Sequence, residues 1–293
     1  MTKRSVKRIP APNRGKRSGY RPPVCIFCTA PPDSLEHILP VWTQEIIPPL
    51  PEATFSEYGR ADGHYIAEDL TESLVSNRER GFDVAHLRVG VVSTDCNTGW
   101  MSQLEDAAKP VLSSLIRGEP RLLSARDQMT ISTWMTLRAM VSEMLWPDRA
   151  CTTQPDRHQF RAQQQPFQNS KVWLAYYPGD RNAKAVHRYA TAHTATKGAP
   201  RQVVAHCITL RIGALVAIYL YSVVPALNTF YFEPPLAAFV SRIFPLPVDR
   251  LDWPEAVNPI PDVQIFNGVR KAFKEANEAA QQAALAGVRR RRT

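Results

Sequence analysis

The sequence has no apolar run long enough to span a bilayer as a helix. The best candidate, residues 212–226, is too short, follows Arg211 and is rich in valine, isoleucine and tyrosine, which favour a buried strand. The N-terminal residues are basic and contain proline, and they lack the apolar core of a secretory signal. We therefore expect a soluble protein of the cytoplasm that makes no membrane contact.

Acidic residues are absent from residues 1–22, which carry eight lysines and arginines, and four arginines precede the last residue. The formal net charge is +9, yet residues 25–110 hold fourteen acidic residues against five basic ones. Acidic surroundings suit a cation and repel phosphate, so we expect nucleic acid to bind the basic ends and the second half of the chain. The alternatives are a solvated, flexible arm or a nuclear targeting signal. The candidate nucleic-acid contacts at the ends are Lys3, Arg4, Lys7, Arg8, Arg14, Lys16, Arg17, Arg289, Arg290, Arg291 and Arg292.

The number of cysteines is small and odd. Five cysteines in a chain without an export signal argue against a disulfide framework and for reduced thiols or metal ligands. Cys151 and Cys207 are isolated in the sequence, and we expect both to be small core residues. The other three, Cys25, Cys28 and Cys96, have the spacing of a metal site.

Composition and hydrophobic periodicity predict an α+β protein in four segments. Residues 1–23 are expected to form a disordered basic arm, and residues 289–293 an arginine-rich tail. Between them we predict one domain at residues 24–118 and a second α+β domain at residues 119–288, with an antiparallel sheet, flanking helices and no assigned role.

The apolar periodicity also predicts individual elements. A polar stretch at residues 48–83 is typical of an insertion. The predicted helices are a short one at 41–46, one that starts after Asp95 with a kink or restart at Pro110 and an end at Gly118, one from Ser124 to Pro147, and a terminal one near 266–280. The predicted strands are 85–92 and an antiparallel meander of 172–177, 186–193, 203–210 and 214–223, with a turn at Gly213.

The three clustered cysteines predict a zinc site with an uncertain fourth ligand. The Cys25 to Cys28 spacing lets two thiolates reach one tetrahedral zinc at about 2.3 Å, and a distant turn normally supplies two more ligands. Here that turn supplies Cys96, while Ser93 stands where the partner thiolate would be. The remaining ligand is then Asp95, Ser93, His64 or water, and the alternative is three buried thiols without metal.

A second group of residues has the chemistry of a hydrolytic site. An imidazole ordinarily has a pKa near neutrality, so a histidine such as His37 can take a proton from water, and the adjacent Glu36 carboxylate can hold a hard cation such as Mg²⁺. The Asn97 side-chain oxygen, at a predicted helix start, can complete the cation site. Glu-His is a common dipeptide, so a solvated glutamate beside a packed histidine is the alternative.

These motifs together resemble those of the HNH endonuclease family. The resemblance covers about residues 24–116 and is closest to the branch with Glu-His-Ile-x-Pro-x-Trp and Cys-Asn-x-Gly-Trp-Met-Ser-x-Leu-Glu. The matching residues are Glu36, His37, Ile38, Pro40, Trp42, Cys96, Asn97, Gly99, Trp100, Met101, Ser102, Leu104 and Glu105.

The resemblance implies a ββα-metal finger that hydrolyses phosphodiester bonds. In that family pattern His37 would activate water, while Glu36 and Asn97 would hold one Mg²⁺ or Mn²⁺ beside a structural Zn²⁺. Double-stranded DNA is the favoured partner, with RNA as an alternative.

Two departures leave a second interpretation open. Ser93 breaks the second cysteine pair, and the middle polar residue that orients the catalytic histidine has no match, although His86 is a candidate. We expect Glu105 to cap or pair rather than to catalyse. The alternative is a catalytically silent finger that serves as a scaffold for binding nucleic acid, or a protein partner through the second domain.

Overall fold

The computed structural model describes residues 21–47, 87–147, 150–179, 183–192, 202–224, 227, 236–261, 268–276 and 278. The N-terminal arm up to residue 20, the insertion with His64, the candidate His86 and the arginine tail lie outside the described residues. The helices are α1 (Thr43–Ile46), α2 (Thr94–Cys96), α3 (Ser102–Arg117), α4 (Ala125–Glu143) and α5 (Gln154–Gln163), followed by a helical segment at residues 268–276. The strands are β1 (Ser34–His37), β2 (Arg88–Val92), β3 (Arg121–Ser124), β4 (Ser170–Tyr176), β5 (Ala183–Ala192), β6 (Gln202–Ile212), β7 (Leu215–Ser222), β8 (Ser241–Phe244) and β9 (Arg250–Trp253).

The predicted α+β class is confirmed, and all pairs between these strands are antiparallel. β1 pairs with β2, β3 pairs with β9, and a five-stranded sheet has the order β5-β6-β7-β4-β8. This order differs from a simple meander, because β4 lies between β7 and β8 and not beside β5. Burial explains the difference, since almost every residue of β4 is buried and suits a central strand, whereas the described side chains of β5 are only half-buried and suit an edge.

The five-stranded sheet is covered on both faces. One face, with residues such as Leu174 and Leu210, packs against α3 and α4. The other face, with residues such as Trp173 and Ile218, packs against the turn at Leu236–Phe239 and the helical segment at 268–276. Burial of both faces explains why the strands are nearly continuous apolar runs in the sequence.

The helix predicted after Asp95 is regular around Pro110 but irregular at its start. α3 continues through Pro110 without the restart expected there, because Pro110 is exposed and water can bind the backbone carbonyl that loses its partner. The irregularity lies earlier, in a wide turn at Asn97–Met101, where Gly99 has non-helical dihedral angles (φ −92°, ψ −113°). Such wide turns often lie at functional sites. α3 ends at Gly118, as predicted, and Gly118 has the left-handed conformation.

Helix α4 is buried on opposite faces. Ser124 caps its first turn in a reciprocal pair with Asp127, which confirms the predicted start. Ile131 and Met135 belong to the core shared with the large sheet. On the opposite side, Leu137, Met140 and Val141 belong to the core around the three cysteines. The boundary expected at residue 118 stays a prediction, but α4 contributes to the cores on both sides of it. Among the described residues, no helix has the length and apolarity needed to cross a membrane.

The C-terminal end of α4 carries a fully buried carboxylate, Glu143. Its Oε1 accepts from the Cys151 backbone N–H at 2.7 Å and lies 2.8 Å from His206 Nδ1, while its Oε2 accepts from the Thr152 hydroxyl. Burial by itself raises the pKa of Glu143, but His206, Arg157 and Thr152 favour the ionised form and lower it to about 2. This carboxylate ties α4 to the start of α5 and to β6.

Candidate functional site

The three clustered cysteines come from a loop and from the turn that follows β2. The loop closes through a hydrogen bond from Cys25 N to Ala30 O (2.8 Å), and Ile26 N donates to Val91 O (2.9 Å), which attaches the loop to β2. Cys96 ends the short helix α2. The sulfur atoms of Cys25, Cys28 and Cys96 all lie within 4.8 Å of one another. This is the only such group of metal-binding side chains among the described residues.

The geometry and chemistry of this group suit a metal ion. Two thiolates on one tetrahedral zinc are about 3.8 Å apart when each Zn–S bond is about 2.3 Å, so the observed separations allow binding with small adjustments. Cys25 and Cys96 are buried and Cys28 is half-buried. Burial raises the pKa of Cys96, whereas at Cys28 hydrogen bonds, first from Ser93, outweigh burial and lower the pKa. The group can therefore hold a metal ion, and Cys28 ionises more readily than Cys96.

Ser93 is in contact with the cysteine group, and Asp95 is not. The Ser93 Oγ lies 3.4 Å from Cys28 Sγ and accepts a hydrogen bond from Cys96 N at 3.2 Å, so the residue caps α2. Asp95 is exposed and is not a member of the group. Of the two candidate fourth ligands in the described part of the chain, only Ser93 has a side chain in contact with a cysteine sulfur.

The Glu36 side chain is engaged in a buried ion pair with a residue that the sequence did not point to. Arg138 on α4 is fully buried, and its Nη1 donates to Glu36 Oε1 at 2.7 Å and to the His37 carbonyl at 2.9 Å. Its Nη2 lies 3.2 Å from Glu105 Oε1, an ion pair without hydrogen-bond geometry. Burial raises the pKa of Glu105. Burial alone would lower the pKa of Arg138, but the nearby carboxylates of Glu105 and Glu36 outweigh it, and the pKa of Arg138 is raised. Glu105 thus pairs, as expected.

Asn97 contacts the start of β1, whereas Glu36 and His37 form the end of that strand. The Asn97 Nδ2 donates to Ser34 Oγ at 2.8 Å and, more weakly, to Leu35 O at 3.5 Å. Glu36 and His37 follow at the other end of the same short strand, where His37 is paired with Arg88. Because Nδ2 is used as a donor, a cation at Asn97 would bind through the side-chain oxygen. The fold therefore places the Asn97 side chain against two residues of β1 that precede it by 63 and 62 positions in the sequence.

Three supporting residues were missed by sequence reasoning. Arg138 lies in α4, whose apolar periodicity predicted a core helix. A charged residue within that apolar run was the only sequence signal for a buried ion pair. Gln154 donates to Cys25 O at 2.9 Å from the first turn of α5. Asp33 accepts from Thr94 N at 2.6 Å, and that backbone hydrogen bond lowers the pKa of its carboxyl group. Each of these contacts is long-range, so spacing in the sequence could not reveal it.

Comparison of the chain with protein-family models, with curated proteins and with solved structures found no significant match.

Proposed function

We propose that this protein is a metal-dependent endonuclease of the HNH type that hydrolyses phosphodiester bonds in DNA. The observation that carries the proposal is the pairing of β1 with β2, since it brings Glu36-His37 and the Cys96-Asn97 turn onto one small unit. The three thiols beside this unit support a structural zinc in the same place. A two-stranded antiparallel pair that leads directly into a helix is also the order of elements that the resemblance implies.

In the proposed reaction His37 takes a proton from a water molecule. The water oxygen then bonds to phosphorus while the bond from phosphorus to the leaving sugar oxygen breaks, and that oxygen gains a proton from solvent. A divalent cation, Mg²⁺ or Mn²⁺, bound by Glu36 and Asn97 would supply Lewis-acid stabilisation of the charge on phosphate. The donor set fits such a cation, because a carboxylate and an amide oxygen are the hard ligands it prefers.

The test is cleavage of plasmid DNA in Mg²⁺ or Mn²⁺ by the purified protein and by His37→Ala. Loss of a general base typically costs 10²- to 10⁴-fold in rate, so we expect the variant to cut at least about 100-fold more slowly. His158→Ala is a matched control, because it removes a half-buried histidine on α5 that lies outside the proposed reaction. Equal cutting by wild type and His37→Ala, or no cutting by wild type with either metal, would reject the nuclease.

A second candidate function is favoured by one specific observation. Because Arg138 already binds the Glu36 carboxylate, part of the negative charge that a cation would need is neutralised. A protein of this kind would keep the finger as a scaffold and bind nucleic acid through its basic ends without cutting. It would then show salt-sensitive binding that survives His37→Ala and is lost when residues 1–22 and 289–292 are deleted. Retained affinity after both deletions would contradict this alternative.

A further inference from the structure

The backbone carbonyl of His37 is held by a side chain from a distant helix. Arg138 and His37 are 101 residues apart in the sequence, yet Arg138 Nη1 donates to the His37 carbonyl at 2.9 Å. The same nitrogen donates to the Glu36 carboxylate at 2.7 Å, so one group contacts both members of the dipeptide. The end of β1 is therefore attached to α4 by a fixed, directional contact.

Three partners restrict the orientation of this guanidinium. Its Nη1 is shared between Glu36 and the His37 carbonyl, while its Nη2 faces Glu105 on α3 at 3.2 Å. A guanidinium is planar and presents its donors at fixed angles, whereas a lysine ammonium is a single point charge on a flexible stem. An arginine with its side chain fully buried and its donors directed at one neighbouring helix and a strand end cannot rotate without breaking these contacts.

A purely structural contact between α4 and β1 would not need these charges. Burying a guanidinium with two carboxylates costs desolvation energy, and well-packed apolar residues are often as stabilising. The rest of this core is in fact apolar, with Met140 and Val141 of the same helix packed near Val89 and Val91 of β2. The Arg138 ionic group lies where α4 meets the Glu36-His37 dipeptide and contacts both of its residues, so its position calls for an explanation in terms of that dipeptide.

We propose that Arg138 is a positioning residue that sets the placement of the His37 imidazole by fixing the His37 carbonyl and the Glu36 carboxylate from α4. The inference rests on the proposed function, in which His37 is the general base. Rotation of the peptide that carries His37 would displace its imidazole, and a displacement of about 1 Å can cost about 100-fold in rate. Helix α4 is thus part of the machinery of the site, although none of its atoms would touch the substrate.

The experiment uses full-length protein labelled with ¹³C at histidine, with the His37 ring signal assigned from its loss in His37→Ala. Arg138→Lys keeps the positive charge and removes the planar fork, and Arg138→Met removes both. Arg157→Lys is the matched control, because Arg157 is also a buried arginine and its donors bind Thr152 instead. We expect both Arg138 variants to shift the His37 ring signal, and Arg157→Lys to leave it unchanged.

Activity provides an independent second readout. Arg138→Lys should lower kcat for plasmid cleavage by 10- to 100-fold and leave KM for DNA within about twofold, because binding of DNA does not depend on the orientation of His37. If Arg138→Met does not fold, Arg138→Lys alone decides the inference. An unchanged His37 ring signal in folded Arg138→Lys overturns it, whether or not the wild type cuts DNA. A shifted signal in a protein that never cuts DNA would keep the positioning role and reject the proposed nuclease.

Discussion

The strongest quantitative prediction concerns Glu143 and acid stability. The carboxyl group has no exposed surface, and its pKa falls from the ordinary 4.5 to about 2 in the folded protein, despite burial, because of His206, Arg157 and Thr152. That difference corresponds to about 3 kcal/mol of folding free energy when the carboxyl group is ionised in both states. Because the folded pKa is the lower one, this stability is fully present above pH 4.5 and is lost as pH falls towards 2.

The corresponding substitution is Glu143→Gln, which keeps one acceptor oxygen for the Cys151 N–H and removes the charge opposite His206. We expect the variant to lose about 3 kcal/mol of unfolding free energy at pH 7 and to approach the wild type below about pH 3. The measurement is urea denaturation at pH 7, 5, 4 and 3. Glu119→Gln is the control, because Glu119 is half exposed, pairs with Arg117 only at 3.9 Å and should change stability by less than about 0.5 kcal/mol. A difference between wild type and Glu143→Gln that stays constant from pH 6 to pH 3 would refute the reasoning.

Two further predictions concern the cysteine group and the tight turn before β7. Ser93→Cys should raise the zinc affinity at least tenfold in a chelator competition, because a thiolate replaces the hydroxyl that lies 3.4 Å from Cys28 Sγ; unchanged affinity would show that position 93 does not face the metal. Gly213→Ala should cost more than about 1–2 kcal/mol in urea denaturation, because Gly213 has φ +57° and an added Cβ would lie 2.5 Å from the Ile116 carbonyl. The control Gly90→Ala would meet Leu35 at an ordinary 3.4 Å, and equal losses in the two variants would contradict this explanation.

Local signals in the sequence were enough to predict most of the fold. The apolar stripe of α3, the serine cap of α4 and the four long strands are determined by periodicity and by nearby residues, and the structure confirms them. Helix α5 was missed although Thr153 and Asp156 form a capping pair, because its polar sequence has little apolar periodicity. The short strands β3 and β9 were missed as well, because their pairing joins Arg121 to Trp253 and has no local signature.

The candidate site was predictable only where neighbouring residues carry the chemistry. The spacing of Cys25 and Cys28 and the adjacency of Glu36 and His37 are visible in the sequence, so these residues could be selected from it. The partner of Glu36 could not, since the contact with Arg138 joins residues 102 positions apart and depends on the packing of α4. Contacts between residues so far apart in the sequence determine which charged groups surround a site, and a short motif does not predict them.

Because α4 is buried on both sides, the segment that carries the cysteines, Glu36-His37 and Asn97 cannot be expected to fold without it. A fragment that stops at residue 118 would keep Cys25, His37 and Asn97, yet it would expose the apolar surface that Leu137 and Met140 cover. It would also leave the carboxylates of Glu36 and Glu105 without the Arg138 guanidinium that they share. Transfer of the motif-bearing residues to another protein would therefore require transfer of α4 with them.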